Sequence, residues 1–415
     1  MHVLLVTVGT TGDILPYVGL GVELKARGHE VALVASAGYG PLARRHGLGF
    51  HELVSAAENR ELFDDPDFWH PFKTAPLSAR WGVRFLRRQY DLLAGLRRPD
   101  TVLVASPGVF AAGLLAETHR VPWISIVLQP GILPSVLHPP RMMGFGWLTG
   151  APRPVWRVFW RLLDGVGDRL VGPELNRLRR ELGLAPRRRL FTHWLSPQRV
   201  LGMFPDWYGP VPADWPPQMR LVGFPQWTGD APGALAPELR EFCAAGPAPV
   251  AVTFGTGMVH SAALFQAALA AVHRLGARAI LLTPHRGQLP AVLPGGVRHA
   301  EHAGFHQLFP LCGAVLHHGG VGTLAAALAA GTPQLVRPIC FDQPDNGVRV
   351  RRLGVGDCLG AARAGGPQIA AALRPLLTPA AGDRCRAWAE RAAETGACRR
   401  AADLVEQAAG STRPG

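Results

Sequence analysis

The segment 314–330 constrains the fold of this chain more than any other. Residues 314–316 are an apolar run that reads as a buried strand. His317-His318-Gly319-Gly320-Val321-Gly322-Thr323 is a glycine-rich turn, and 324–330 is a run of small helix formers. Strand, tight turn and helix in that order belong to a parallel α/β sheet. The turn aims free N–H groups and the positive end of the new helix at one spot, which suits a diphosphate. Residues 333–338 read as the next strand, and the loop behind them carries Asp342 and Gln343. A carboxylate beside a carboxamide is equipped to hydrogen-bond sugar hydroxyls. Together the two features point to a nucleotide sugar.

The same alternation fills the rest of the chain. Strands are expected at 3–8, 31–35, 102–105, 123–127 and 200–204, with helices over 14–27, 77–96, 108–119 and 153–182. A second series follows, with strands at 250–254, 279–283, 297–301, 314–316 and 334–336 and helices at 260–274 and 321–330. The stretch 223–240 is rich in Gly, Pro and Ala, has no periodicity, and reads as a linker. At 415 residues, the length fits two domains of about 200 residues each. The expected division is 1–222, a linker at 223–240, 241–382, and a closing helical segment at 383–415. Two doubly wound halves leave a cleft at the carboxyl ends of their strands, where ligands of such sheets bind.

Composition narrows the partners. The net charge of +13 is almost all arginine, Lys25 and Lys73 being the sole lysines. Arginine, alanine, glycine and proline enrichment follows from a GC-rich gene as readily as from function. Read functionally, a basic surface attracts an anionic nucleotide sugar or a lipid headgroup plane. Zinc-finger spacing, a basic zipper and RNA-binding aromatic motifs are all missing, so nucleic acid is not an expected partner. Six cysteines without a C-x-x-C pair suggest free thiols in a reducing compartment. The start of the chain runs straight into a strand with no leader pattern. The longest apolar stretch, 102–116, is broken by Ser106, Pro107 and Gly108 and cannot span a bilayer. A cytoplasmic protein is expected.

The first loop, Gly9-Thr10-Thr11-Gly12-Asp13, follows strand one and opens a helix. A dinucleotide site would need G-x-G-x-x-G spacing and an acid after strand two, where the chain has Val34-Ala35-Ser36. Asp13 is therefore either a helix-capping carboxylate or a general base. Asp65-Pro66-Asp67 has D-x-D spacing, but its proline and lack of a preceding strand make it a loop. The two adjacent histidines lack a third ligand at zinc spacing. No metal is expected, and no cofactor beyond the co-substrate.

His318-Gly319-Gly320-Val321-Gly322-Thr323 through Asp342-Gln343 resembles the donor-binding signature of inverting glycosyltransferases in the UDP-glycosyltransferase superfamily, which have the GT-B fold. The opening, Val6-Thr7-Val8-Gly9-Thr10-Thr11-Gly12-Asp13-Ile14-Leu15-Pro16, resembles that family's N-terminal loop. Phe191-Thr192-His193-Trp194, Phe204-Pro205, Asp214-Trp215-Pro216 and Gly223-Phe224-Pro225 resemble, more narrowly, the rhamnosyltransferase of rhamnolipid synthesis.

The resemblance implies two Rossmann-like domains facing a cleft, with the last helix crossing back onto the first. It places Asp13 at the catalytic base, beside Gly12. His318, Gly320, Gly322 and Thr323 fall on phosphate contacts, Gly255 and Thr256 on a second phosphate-side turn, and Asp342 and Gln343 on the donor sugar's hydroxyls. His317 reads as a structural residue at the strand end. His302 falls where the family stacks an aromatic ring on the nucleobase, with Ala303 and Phe305 beside it. An imidazole stacks less well than an indole, so uracil and thymine both remain open.

The implied reaction moves a hexose from a UDP- or dTDP-sugar, such as UDP-glucose or dTDP-rhamnose, to a hydroxyl of a hydrophobic acceptor. Phe63, Phe68, Trp69, Trp81, Met142, Met143, Phe145 and Trp147 are either core or the wall of an acceptor pocket. Segment 153–182, with arginines among its aromatics, is either a packed helix with a solvated basic face or a peripheral membrane contact. A nucleotide-sugar epimerase and a catalytically silent binding subunit of the same fold are the alternatives.

Overall fold

The computed structural model describes residues 1–226, 235–360, 365–394 and 396–410. Two entirely parallel sheets form the frame. The first contains β1 (His2–Val6), β2 (Glu30–Ser36), β3 (Gly49–Val54), β4 (Thr101–Ala105), β5 (Trp123–Val127), β6 (Arg199–Gly202) and β7 (Met219–Leu221). Their spatial order is β3-β2-β1-β4-β5-β6-β7. The second contains β8 (Val250–Thr253), β9 (Ala279–Leu282), β10 (Val297–Ala300), β11 (Ala314–His317), β12 (Gln334–Val336) and β13 (Gly356–Cys358), in the order β10-β9-β8-β11-β12-β13. Each order reverses once, between β1 and β4 and between β8 and β11. The loops behind β1, β8 and β11 therefore open at the switch points where such sheets bind ligands.

Sheets covered by helices on both faces demand unbroken apolar strands. In β1 every residue is buried: Val3 and Leu5 pack toward the helix Thr11–Ala26, while Leu4 and Val6 join the opposite layer with Leu103 and Leu115. The strands missed in the sequence are those where this pattern fails. β3 is largely exposed or half-buried, β7 and β13 are three residues each, and all three are sheet edges.

Several expected helices are divided. The 77–96 region is two helices, Thr74–Arg84 and Leu86–Leu96, meeting at Phe85. The 153–182 region breaks at Val171 into Arg153–Leu170 and Gly172–Glu181, the second restarting on Pro173. Of the expected linker 223–240, residues 227–234 lie outside the described residues, and its end is not linker. Pro237 sits in the first turn of a helix, Pro237–Ala244, whose Leu239, Phe242 and Cys243 are buried.

The closing segment is also two helices, Pro379–Ala392 and Ala397–Gly410. The second returns to the first domain, where Ala401, Ala402 and Val405 are fully buried with Leu20 and Leu24. Arg27 holds it through Asp403 (2.6 Å) and Glu406 (3.0 Å), and the Arg400 guanidinium donates to the Val222 carbonyl (2.9 Å). All six cysteines are free, and no helix among the described residues is long and apolar enough to cross a membrane.

Candidate active site

Asp13 occupies the first turn of the helix Thr11–Ala26. Its Oδ2 accepts from the Thr10 N–H (2.8 Å) and the Thr10 hydroxyl (3.1 Å), closing a capping box. Both bonds fall on one oxygen, and Oδ1 takes neither. Capping and a chemical role are thus compatible. Gly9 makes room for this geometry: its φ is +128°, and a Cβ there would overlap the Asp13 carboxylate. Burial raises the Asp13 pKa, against the pull of the two Thr10 hydrogen bonds. Gly12, next to it, is exposed.

Across the cleft, β11 delivers its two histidines to different tasks. His317 is fully buried; its Nδ1 accepts from the Gly319 N–H (3.1 Å), so Nε2 carries the proton and donates to Gln334 Oε1 (3.0 Å). Burial pushes its pKa down to about 3, and the ring is a neutral strut that shapes the turn. His318 turns into the loop space between two glycines. A Cβ on Gly320 would come within 2.5 Å of its Nε2, and one on Gly255 within 3.3 Å. Burial pushes its pKa down to about 4, with the Thr253 backbone pulling the other way, so it acts as a neutral hydrogen-bonding group. Gly320 is the N-cap of the helix Val321–Ala329, and the first-turn amides of Val321, Gly322 and Thr323 surround the helix mouth.

The two domains touch around this point. The Thr256 and Thr11 hydroxyls are 3.2 Å apart, and His260 Nε2 lies 2.9 Å from the Asp64 carbonyl. Phe341, held at φ +54°, packs against Phe68 (5.4 Å) and Trp69 (6.3 Å) of the first domain. Asp342 follows. Its pKa is pushed up to about 7, chiefly by burial, with the charge of Asp13 also contributing. Thr10 and Thr11 border the second domain at Gly257 and Thr256, and Gly131 of the first domain borders Asp342, so both carboxylates lie along the seam between the domains.

Not every expected residue is free for ligand. Gln343 is buried, and its Oε1 accepts from the Ile339 (2.7 Å) and Cys340 (3.0 Å) N–H groups, leaving only its NH2 for a sugar. Phe305 stacks on Phe309 (4.5 Å) and, with Ala303, packs against an apolar cluster, whereas His302 is exposed. Thr323 is buried in the helix's first turn. The carboxylates of the D-x-D loop are engaged locally: Asp65 caps the Asp67 N–H (2.8 Å), and Asp67 pairs with Lys73 (2.9 Å). Among the acceptor candidates, Trp81 is half-buried against a core cluster, while Phe63, Phe68 and Trp69 form one cluster near Phe341.

Asn346 is a site residue that the sequence reading does not single out. It is fully buried and donates to the Gly319 carbonyl (2.8 Å) and Asp342 Oδ2 (2.5 Å), while accepting from the Tyr208 hydroxyl (2.9 Å) of the first domain. Beside it, Asp345 accepts from the Arg141 N–H (2.9 Å) and pairs with Arg349 (2.7 Å). One amide thus ties the phosphate loop, the sugar-side carboxylate and the opposite domain together. The i, i+4 step from Asp342 is a readable signal on a helix; the Tyr208 contact leaves none.

Two Rossmann-like sheets facing across such a cleft are the GT-B architecture of nucleotide-sugar-dependent glycosyltransferases. The chain matches the glycosyltransferase family 28 N-terminal domain over residues 3–137, and the erythromycin biosynthesis protein CIII-like C-terminal domain over 266–406. It is 32% identical to the O-mycaminosyltylonolide 6-deoxyallosyltransferase of Streptomyces fradiae, over 98% of this chain and 97% of that one. It is 29% identical to glycosyltransferase GtfE of Amycolatopsis orientalis, over 100% and 99%. The crystal structure of spinosyn rhamnosyltransferase SpnG with thymidine diphosphate superposes with a TM-score of 0.68 at 21% identity, covering 98% and 99% of the two chains. The chain belongs to the UDP-glycosyltransferase superfamily and is a glycosyltransferase of the natural-product type.

Proposed function

We propose that the protein moves a hexose from a dTDP- or UDP-sugar to a hydroxyl of an apolar small molecule or lipid, with inversion and without a metal ion. Asp13 is the general base. As the acceptor oxygen bonds to the anomeric carbon, its proton passes to the carboxylate, and the bond to the diphosphate breaks with its electron pair. A carboxylate raised by burial is a better base than one in water. The departing charge is met by the amides at 321–323 and by His318, donors fixed before the reaction begins. Asp342, poised near neutrality, holds sugar hydroxyls as donor or acceptor.

The observation that carries this reading is the convergence of Asp13 and Asp342 on one cleft beside the helix mouth. The thymidine diphosphate in the spinosyn enzyme and the deoxyhexose in the Streptomyces relative's name favour the dTDP arm. The test is incubation with dTDP-rhamnose or UDP-glucose and a panel of hydrophobic alcohols in EDTA. Acceptor mass gain is expected. Donor conversion without acceptor would indicate an epimerase, nucleotide binding without turnover a silent subunit, and loss of transfer in EDTA a required metal.

A further inference from the structure

Of the ten large apolar side chains exposed among the described residues, five fall within residues 147–166: Trp147 (76% exposed), Val155 (40%), Val158 (55%), Leu162 (66%) and Val166 (44%). Scattered exposed hydrophobes need no explanation, but a cluster does. The last four are spaced three, four and four residues apart on the helix Arg153–Leu170, which sets them in one row on its outer face. The inner face is already committed. Trp156 is buried, and Trp160 Nε1 donates to the Ser135 carbonyl (3.0 Å).

Both acids of this helix are also turned to internal work. Asp164 accepts from the Thr192 N–H (3.0 Å) and hydroxyl (2.6 Å), and Asp168 from the N–H groups of Arg189 (2.9 Å) and Leu190 (3.1 Å). Arg153, Arg157 and Arg161, four residues apart, make a second exposed row beside the apolar one. Among the described residues none of the three has an ion-pair partner. The outer face is therefore apolar and cationic, with its own carboxylates engaged elsewhere.

We infer that this face docks on an anionic lipid surface. The apolar row and Trp147 enter the headgroup boundary, where an amphipathic helix lies in plane and tryptophan is favoured. The arginines meet headgroup phosphates, which their planar forks fit, while their aliphatic stems cover the apolar row. The chain's net charge of +13 draws the whole molecule to such a surface. A second copy is a poor occupant, because a two-fold contact would set two unneutralised arginine rows on one interface.

The apolar patch also continues inward. Phe159 packs on Phe145 (5.3 Å) and Phe145 on the exposed Phe72 (6.4 Å), at the end of the segment that carries Phe68 and Trp69 to Phe341 beside Asp342. If the proposed reaction holds, an apolar acceptor dissolved in lipid would reach the cleft along this wall. The docking itself does not depend on that reaction.

The test is sedimentation of the full chain with vesicles of phosphatidylcholine alone or mixed with phosphatidylglycerol, at low and high salt. Binding is expected to the anionic vesicles only. It should weaken at least tenfold on Leu162→Asp, on Arg157→Glu with Arg161→Glu, and in high salt. Thermal melts of the variants should match the parent, since none of these side chains packs inward. No sedimentation with either vesicle, or variants that bind like the parent, would overturn the inference. A concentration-dependent dimer abolished by Leu162→Asp, without vesicle binding, would also overturn it and assign the face to a second copy. Absence of sugar transfer with vesicle binding intact would sink the proposed reaction alone.

Discussion

Replacing Asn346 by alanine probes the joint between the two domains. The wild-type amide is fully buried and makes three hydrogen bonds, to the Gly319 carbonyl, Asp342 Oδ2 and the Tyr208 hydroxyl. Alanine removes all of them and strands the Tyr208 hydroxyl, itself fully buried, without an acceptor. An orphaned buried donor costs about 1–3 kcal/mol, and a bond to a charged partner about 1.5–3 kcal/mol. With partial relaxation, the expected loss is about 3 kcal/mol of unfolding free energy. The Asp342 carboxyl, deprived of a bond that lowers its pKa, should rise beyond about 7. Because Gly319 belongs to the phosphate turn, donor KM should rise more than kcat falls.

Urea unfolding and donor titration measure both effects. Tyr208→Phe serves as the partner variant: it removes one neutral bond, costs about 1 kcal/mol, and should shrink the effect of Asn346→Ala in the double variant by a similar amount. An Asn346→Ala protein within about 0.5 kcal/mol of the parent, with unchanged donor KM, would show that these bonds hold nothing.

Asp13→Asn should cut transfer by about 10²–10⁴-fold while leaving nucleoside diphosphate binding by calorimetry intact. Retained transfer would remove Asp13 from the base role. Since burial raises the Asp13 pKa, the transfer rate should fall as pH drops through that raised value, a limb read from kcat/KM and missing if another group is the base. Asp342 has a folded pKa near 7, above its unfolded value of about 3.9. Its ionisation therefore destabilises the fold above pH 7, and the penalty vanishes below about pH 4. Asp342→Asn should accordingly be the more stable protein at pH 8, by about 1–2 kcal/mol after discounting for partial exposure, with the difference closing in acid melts. Gly320→Ala puts a Cβ within 2.5 Å of His318 Nε2 and should raise donor KM about tenfold or more; an unchanged KM would free His318 from the donor site.

Much of the site is legible in the sequence because it is local. A strand, a glycine turn and a helix start are adjacent in the chain, so the position of His318 above the helix mouth can be read directly. So can Asp13 at the opening of a helix. The same reading errs where packing decides. Phe85 carries no breaking signal, yet it divides a helix; the break after Val171 is marked only by Gly172-Pro173, and Pro237, expected in the linker, begins a helix. Gln343, expected on the sugar, also spends its carbonyl oxygen holding the loop 339–343 and keeps its NH2 for that role.

The sequence alone determined the two doubly wound halves, since strands buried on both faces must be apolar throughout and leave that mark. It also determined which loops carry polar chemistry. Only the tertiary structure decided strand order, the division of the closing segment into two helices, and the bond between Tyr208 of one domain and Asn346 of the other. Contacts between residues far apart in the chain depend on how whole faces pack, and packing leaves no local periodicity to read.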